Sequence, residues 1–122
     1  MNIKNFIWEE VNKDVLDKKT TSFQYELENK YDIDLFIYFS KTQKVLVISS
    51  IIVPKEKRNQ GIGTKVMEEI CDYADEHNLN ILLTPSSDFG GSKRRLINFY
   101  KYFGFVKNKD YKYRELMIRK PQ

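Results

Sequence analysis

Cysteine and histidine occur once each in this chain of 122 residues. One cysteine allows no internal disulfide, and one cysteine with one histidine cannot supply the ligands of a usual zinc site, so no metal is expected. Glycine (5) and proline (3) are too scarce for a collagen-like or linker-like chain. Long apolar runs are also missing. The longest, VLVISSIIV from Val45 to Val53, falls far short of the roughly 20 residues that span a bilayer. Met1 to Phe6 holds no apolar signal region, so a cytoplasmic protein without membrane contact is expected. What remains is ordinary for a folded chain: 41% hydrophobic, 31% charged, and 21 basic against 17 acidic residues for a net charge of +4. No internal repeat is present, and the length suits one domain over residues 1–122 with a single core.

Within this plain composition, Val45 to Thr64 stands out. The apolar run stops at Pro54 and is followed by Arg58-Asn59-Gln60-Gly61-Ile62-Gly63-Thr64. Beyond Gly63, Val66, Met67, Ile70, Cys71 and Ala74 recur at helical spacing, with Glu68, Glu69, Asp72 and Asp75 on the other side. The order is therefore buried strand, glycine turn, helix. A helix start offers backbone N–H groups without intrahelical partners, and glycines let a polyanion approach them closely, which outlines a pyrophosphate site. A nucleotide P-loop requires Lys-Ser or Lys-Thr after its last glycine, whereas Thr64-Lys65 has the reverse order. A dinucleotide turn requires a third glycine, which is absent.

The segment resembles the acetyl-coenzyme A loop of the GNAT acyltransferases: Arg or Gln, two residues, Gly, one residue, then Gly or Ala. Arg58, Gly61 and Gly63 fill it. A second match lies in the right place, since the family carries a helix ending in Tyr-x-x-x-Gly-Phe and Tyr100, Gly104 and Phe105 match it. Between them Ile81 to Thr84, bounded by Asn80 and Pro85, reads as the next parallel strand. The resemblance runs from about Ile33 to Met117. It implies an α/β GNAT acyltransferase fold: a central mixed, mostly antiparallel sheet with a splayed parallel pair, flanked by helices. Pro85 to Phe105, with Phe89-Gly90-Gly91-Ser92, looks most like small stand-alone members carried by bacteria or bacteriophages.

The resemblance implies acetyl-coenzyme A as cosubstrate and an amine, on a small molecule or a protein, as acceptor. Arg58, Asn59, Gln60, Gly61, Ile62, Gly63 and Thr64 then hold the phosphates, and Ile52, Val53 and Lys55 flank the pantetheine arm. The backbone N–H near Ile52 polarises the thioester carbonyl. Spacing alone reads Tyr100 as an aromatic core residue beside Phe99, Tyr102 and Phe103; the resemblance makes it the candidate general acid, because a phenol with a reference pKa of about 10 can protonate a leaving thiolate. The general base is not identified. Some protein-acetylating relatives place a glutamate on the cofactor strand, where this chain has Val47. Ser49, Ser50 and Asp88 are the remaining guesses, the two serines as small hydroxyls in a buried strand more often bonded to backbone. Lys93 stands seven before the tyrosine, where the family often has an asparagine that contacts pantetheine.

Trp8, Val11, Val15 and Leu16 suggest a short amphipathic helix, and Ser22 to Leu27 alternates like an edge strand. Asp34 to Phe39 and Lys44 to Val53 read as an antiparallel hairpin across Ser40-Lys41-Thr42-Gln43. Tyr113 to Arg119 reads as a final strand packing Leu116 and Ile118 inward. Cys71 reads as a small core residue, and His77 as a surface helix end. Lys93-Arg94-Arg95 and the tail cations Lys107, Lys109, Lys112, Arg114, Arg119 and Lys120 form a solvated face that also suits coenzyme A phosphates; with Tyr111 and Tyr113 interleaved, they keep an aminoacyl-tRNA acceptor as an alternative. The rival from another class is a non-catalytic coenzyme A-binding regulator. Monomer and homodimer are both compatible with the sequence.

Overall fold

The DLFIYFS alternation of β1 (Asp34–Ser40) turns Leu35, Ile37 and Phe39 inward and leaves Asp34, Phe36 and Tyr38 exposed. In the computed structural model, which describes residues 3–86 and 92–122 (side chains from residue 12 onward), this strand opens the sheet. It follows a long helix, α1 (Ile3–Tyr31), and pairs antiparallel with β2 (Val45–Ile52). Lys44, at φ 58°, closes the hairpin with its N–H on the Ser40 carbonyl at 2.7 Å. The chain then runs through a 3-10 turn (Lys55–Lys57), α2 (Ile62–Glu76), β3 (Ile81–Leu83), α3 (Lys93–Tyr102), β4 (Val106–Lys107) and β5 (Met117–Arg119). The strand order is β1-β2-β3-β5-β4, with β2 and β3 parallel and the other pairs antiparallel. This is the mixed, mostly antiparallel sheet that the resemblance implies.

Alternation along the strands divides the core in two. Leu35, Ile37, Phe39, Leu46, Ile48, Ile81, Leu83 and Met117 face the helices and bury Val66, Met67, Ile70 and Ala74 of α2 completely or nearly so. Val45, Val47, Leu82 and Ile118 face the other way and are covered by Tyr113. Both faces of β3 are dry, which is why its three residues read as an unbroken apolar run.

Two expectations require correction. Ser22 to Leu27 is not an edge strand; it continues α1. Phe23 and Leu27 are four apart and share a helix face with Leu16 and Thr20, while Tyr25, the middle of the supposed alternation, is exposed. Helix rather than strand is selected by β1: Gln24 Oε1 accepts the Ile37 N–H at 3.0 Å and Glu28 Oε2 accepts the Leu35 N–H at 3.2 Å. The helix thus satisfies the free edge of the sheet. The Thr20 hydroxyl, buried in the same face, bonds Tyr73 of α2 at 2.8 Å. The second correction concerns the final strand, which begins at Met117 and leaves Leu116 exposed while Ile118 is buried. Asn108 is the reason: its carboxamide N–H groups bond the carbonyls of Asp110, Tyr113 and Glu115, holding the preceding segment as a loop.

Candidate functional site

The site begins with one extra residue in β2. Phe36 pairs with Ser50 and Ile37 with Ile48, so Ser49 is a β-bulge without a partner in β1. On its other side β2 pairs with β3 only from Leu46 to Ile48, against Ile81 to Leu83. Beyond Ile48 the strands part, and Ser49 to Ile52 has no ladder partner on the β3 side among the described residues. The parallel pair is therefore splayed at its carboxyl end, leaving the backbone edge of β2 from Ser49 to Ile52 beside a gap in the ladder.

Past Ile52 the chain folds into a compact loop. Pro54 precedes the 3-10 turn, the Lys57 N–H bonds the Pro54 carbonyl at 2.9 Å, and Arg58 Nε reaches back to the Val53 carbonyl at 3.2 Å. Gln60 closes the turn through its side-chain amide on the Glu56 carbonyl, and Lys57 pairs with Asp32 at the α1–β1 junction. Asn59 (φ 65°) and Gly61 (φ 76°) are both left-handed. Gly61 is the N-cap of α2 and carries no side-chain cap; a Cβ built on it has no atom within 4 Å. The N–H groups of Ile62, Gly63 and Thr64 have no acceptor among the described residues, since the first intrahelical bond runs from Lys65 to Gly61. Three backbone donors and the positive end of a 15-residue helix thus face open space. Gly63 packs beside α3, with Phe99 Cζ 3.8 Å from the position of its would-be Cβ.

Tyr100 lies half-buried on α3, in edge contact with Phe99 and Phe105 at ring separations of 5.5 and 5.7 Å. Its hydroxyl has no hydrogen-bond partner among the described residues, and burial pushes its pKa above that of a free phenol. The phenol therefore stays protonated throughout the neutral range. Phe105 is almost wholly buried, and Gly104, at φ 98°, makes the turn between them.

The other sequence candidates are distributed less tightly. Ile52 and Val53 are half-buried at the end of β2, and Lys55 is exposed on the 3-10 turn. Ser49 is exposed and Ser50 half-buried, neither hydroxyl bonded among the described residues, contrary to the expectation of backbone-bonded hydroxyls in a buried strand. The bulge is what turns them outward. Val47 packs in the second core cluster, and Lys93 is exposed at the start of α3. Asp88, with Phe89, Gly90 and Gly91, lies outside the described residues. Cys71 is buried in the core; loss of solvent pushes its thiol up to about 11, which makes it unreactive. His77 ends α2 and packs its ring on Tyr73 at 4.5 Å. A cavity of about 630 Å³ between α1 and α2, walled by Phe23, Glu26, Asp72, Tyr73 and His77, includes none of the loop residues.

One carboxylate missed by the sequence reading lies at the same end of the sheet. β3 and β5 pair as far as Leu83 and Met117, the Leu116 N–H bonds Thr84 Oγ1 at 3.2 Å, and Glu115 follows one step beyond. Oε2 of Glu115 is shut off from solvent and has no hydrogen-bond partner, alone in this among the described residues. No local sequence signal marks it, because only the pairing of β5 with β3 carries it there.

Comparisons with known proteins agree with this architecture. Residues 20–105 match the model of the acetyltransferase (GNAT) family. Among solved structures, the anti-CRISPR protein AcrVA5 is similar with a TM-score of 0.54 at 25% sequence identity, covering 70% of this chain and 87% of that one. No curated protein sequence matches the chain.

Proposed function

The chain belongs to the GNAT acetyltransferase family, and from that premise we propose that it moves an acetyl group from acetyl-coenzyme A to an amine by direct attack on the thioester. The observation that carries this reading is the left-handed Gly61 at the head of α2, with the donors of Ile62, Gly63 and Thr64 unpartnered and open space before them. A pyrophosphate satisfies all three donors and the helix dipole together. Arg58, Asn59 and Gln60 shape the loop rather than fill it. The Arg58 bond to Val53 anchors its start, Asn59 supplies the first left-handed turn, and Gln60 locks the turn to Glu56. Lys55, exposed at the loop entrance, adds positive charge.

Pantetheine carries two amides, and the unpaired edge of β2 from Ser49 to Ile52 offers backbone groups to match them, as an added strand would. Val53 gives the arm an apolar flank, and the N–H near Ile52 lies where the thioester oxygen gains charge. Tyr100, kept neutral by burial, donates its proton to the departing thiolate. The similarity to an anti-CRISPR protein suits a bacterial or bacteriophage setting, with the amine on a protein or a small molecule.

Calorimetric titration with acetyl-coenzyme A, followed by a thiol-release screen over polyamines, amino sugars, lysine peptides and aminoacyl-tRNA, tests the reading. Tight binding with release on one acceptor class is expected. Tight binding without release on any acceptor favours the regulator, a reading supported by Val47 at the position where relatives carry a base. Absence of binding overturns the site.

A further inference from the structure

Resting on the acetyl-transfer reading, the geometry points to Glu115 as the general base that the cofactor strand lacks. An amine such as a lysine, with a reference pKa of about 10.4, reaches the site protonated and cannot attack until a group removes one proton. No side chain of β2 does so: Val47 is buried among apolar residues, and Ser49 and Ser50 are hydroxyls with no partner to activate them among the described residues. Glu115 is placed differently. It lies two residues beyond the Leu83–Met117 pair, at the carboxyl end of β3, the end where β2 departs after the Ile48–Leu83 pair. The strand order β2-β3-β5 at about 4.8 Å per step puts its backbone about 10 Å from that of β2, a gap that a glutamate side chain and an acceptor amine span together.

Two observations single out this carboxylate. Its backbone is fixed on both sides, by Asn108 Nδ2 on its carbonyl at 2.8 Å and by Thr84 on the next N–H. Its Oε2 is dry and unbonded, although a lysine and an arginine flank the loop in sequence at Lys112 and Arg114. A buried acceptor without a donor is costly to fold, and an acceptor ammonium entering the gap is the donor that satisfies it.

The proton balance follows. The ammonium gives one proton to the Glu115 carboxylate, and its nitrogen forms a bond to the thioester carbonyl carbon. The tetrahedral oxyanion collapses, the C–S bond breaks, and the thiolate leaves with the Tyr100 proton. The phenolate regains a proton from the former amine nitrogen, and Glu115 returns its own to water. The sum is ammonium plus acetyl-coenzyme A to amide, coenzyme A thiol and one proton.

Thiol release by the wild type, Glu115→Gln and Glu115→Asp, measured from pH 6 to 10 on the acceptor that the wild type uses, tests the assignment. For Glu115→Gln the expected result is unchanged acetyl-coenzyme A affinity and a thermal midpoint at or above that of the wild type, with turnover lower by about 100-fold or more near pH 7. The deficit should shrink as pH approaches the pKa of the amine, and Glu115→Asp should recover part of it. A Gln variant as active as the wild type across this range overturns the base and leaves the acetyltransferase standing. So does a loss of turnover matched by an equal loss of folding or cofactor binding, because that marks a structural carboxylate. A wild type that releases no thiol with any acceptor overturns both readings.

Discussion

Gly61 and Gly63 look interchangeable in sequence yet are needed for different reasons. Gly61 sits at φ 76°, where an L side chain costs about 1–2 kcal/mol, in space that is otherwise open. Gly63 lacks a positive φ, and a methyl group there makes ordinary contact with Phe99. Gly61→Ala should therefore lower stability by about 1 kcal/mol, whereas Gly63→Ala should leave the denaturation midpoint unchanged. Any loss of acetyl-coenzyme A affinity in Gly63→Ala, read by calorimetry, then measures how closely the phosphates approach that backbone. The phenol of Tyr100 is the other residue with a separable role. Tyr100→Phe keeps the ring contacts with Phe99 and Phe105, so cofactor affinity should hold while turnover falls by about 100-fold. Unchanged turnover would remove the hydroxyl from the mechanism. Since burial raises its pKa, the wild-type rate should hold through neutral pH and decline only above about 10, as the phenol loses the proton it must donate.

Among the elements, α1 most needs its surroundings to be understood. Its inner half presents Gln24 and Glu28 to the outer N–H groups of β1, a task usually left to another strand. Replacing both by alanine should cost about 1–3 kcal/mol through two unsatisfied donors and open an edge that promotes self-association, seen as a lower melting temperature and light scattering at high concentration. This explains what could be read beforehand. β1 and β2 were legible because alternation and an apolar run are local signals, and α2 because its apolar spacing spans fifteen residues. Phe23, Tyr25 and Leu27 satisfy both a strand pattern and a helix pattern, and the deciding bonds come from a strand, with partners 7 and 13 residues further along the chain. The start of β5 was overextended because Asn108 holds the chain in a loop from a distance. At the site, the Arg58-Gly61-Gly63 spacing encodes a turn made by adjacent residues and was visible. Glu115 arrives by long-range pairing and was not.

Across the whole molecule, one ion pair joins parts that are distant in sequence. Arg119, expected on the solvated cationic face, is instead almost fully buried on β5; it bonds both carboxylate oxygens of Asp75 on α2 at 2.8 and 3.1 Å and the Phe103 carbonyl at 2.7 Å, while Asp75 also accepts the Gln122 N–H at 3.0 Å. A helix, the turn after Tyr100 and Gln122 therefore meet at a single ion pair. The guanidinium holds Asp75 below the usual carboxylate range, with the Gln122 N–H adding to the effect. Its stabilisation is then fully present above the unfolded pKa of about 3.9 and lost as pH falls through the lower folded value. Asp75→Asn should cost about 3 kcal/mol at pH 7 by leaving Arg119 buried without a counter-ion. Urea denaturation should show this gap closing below pH 4.

The unpaired Ser49 makes β2 behave like a text with one surplus letter. Before it, Ile48 faces the helices; after it, Ser50 faces Phe36 on the opposite side, and Ile51 returns to the helices opposite Leu35. Deleting Ser49 keeps every one of these assignments, so the shortened strand still reads in frame against β1. What the deletion removes is the kink, leaving β2 straight enough to continue zipping along β3. A chain one residue shorter should thus fold at least as well and lose the gap, making Ser49 dispensable to the architecture and indispensable to the opening within it.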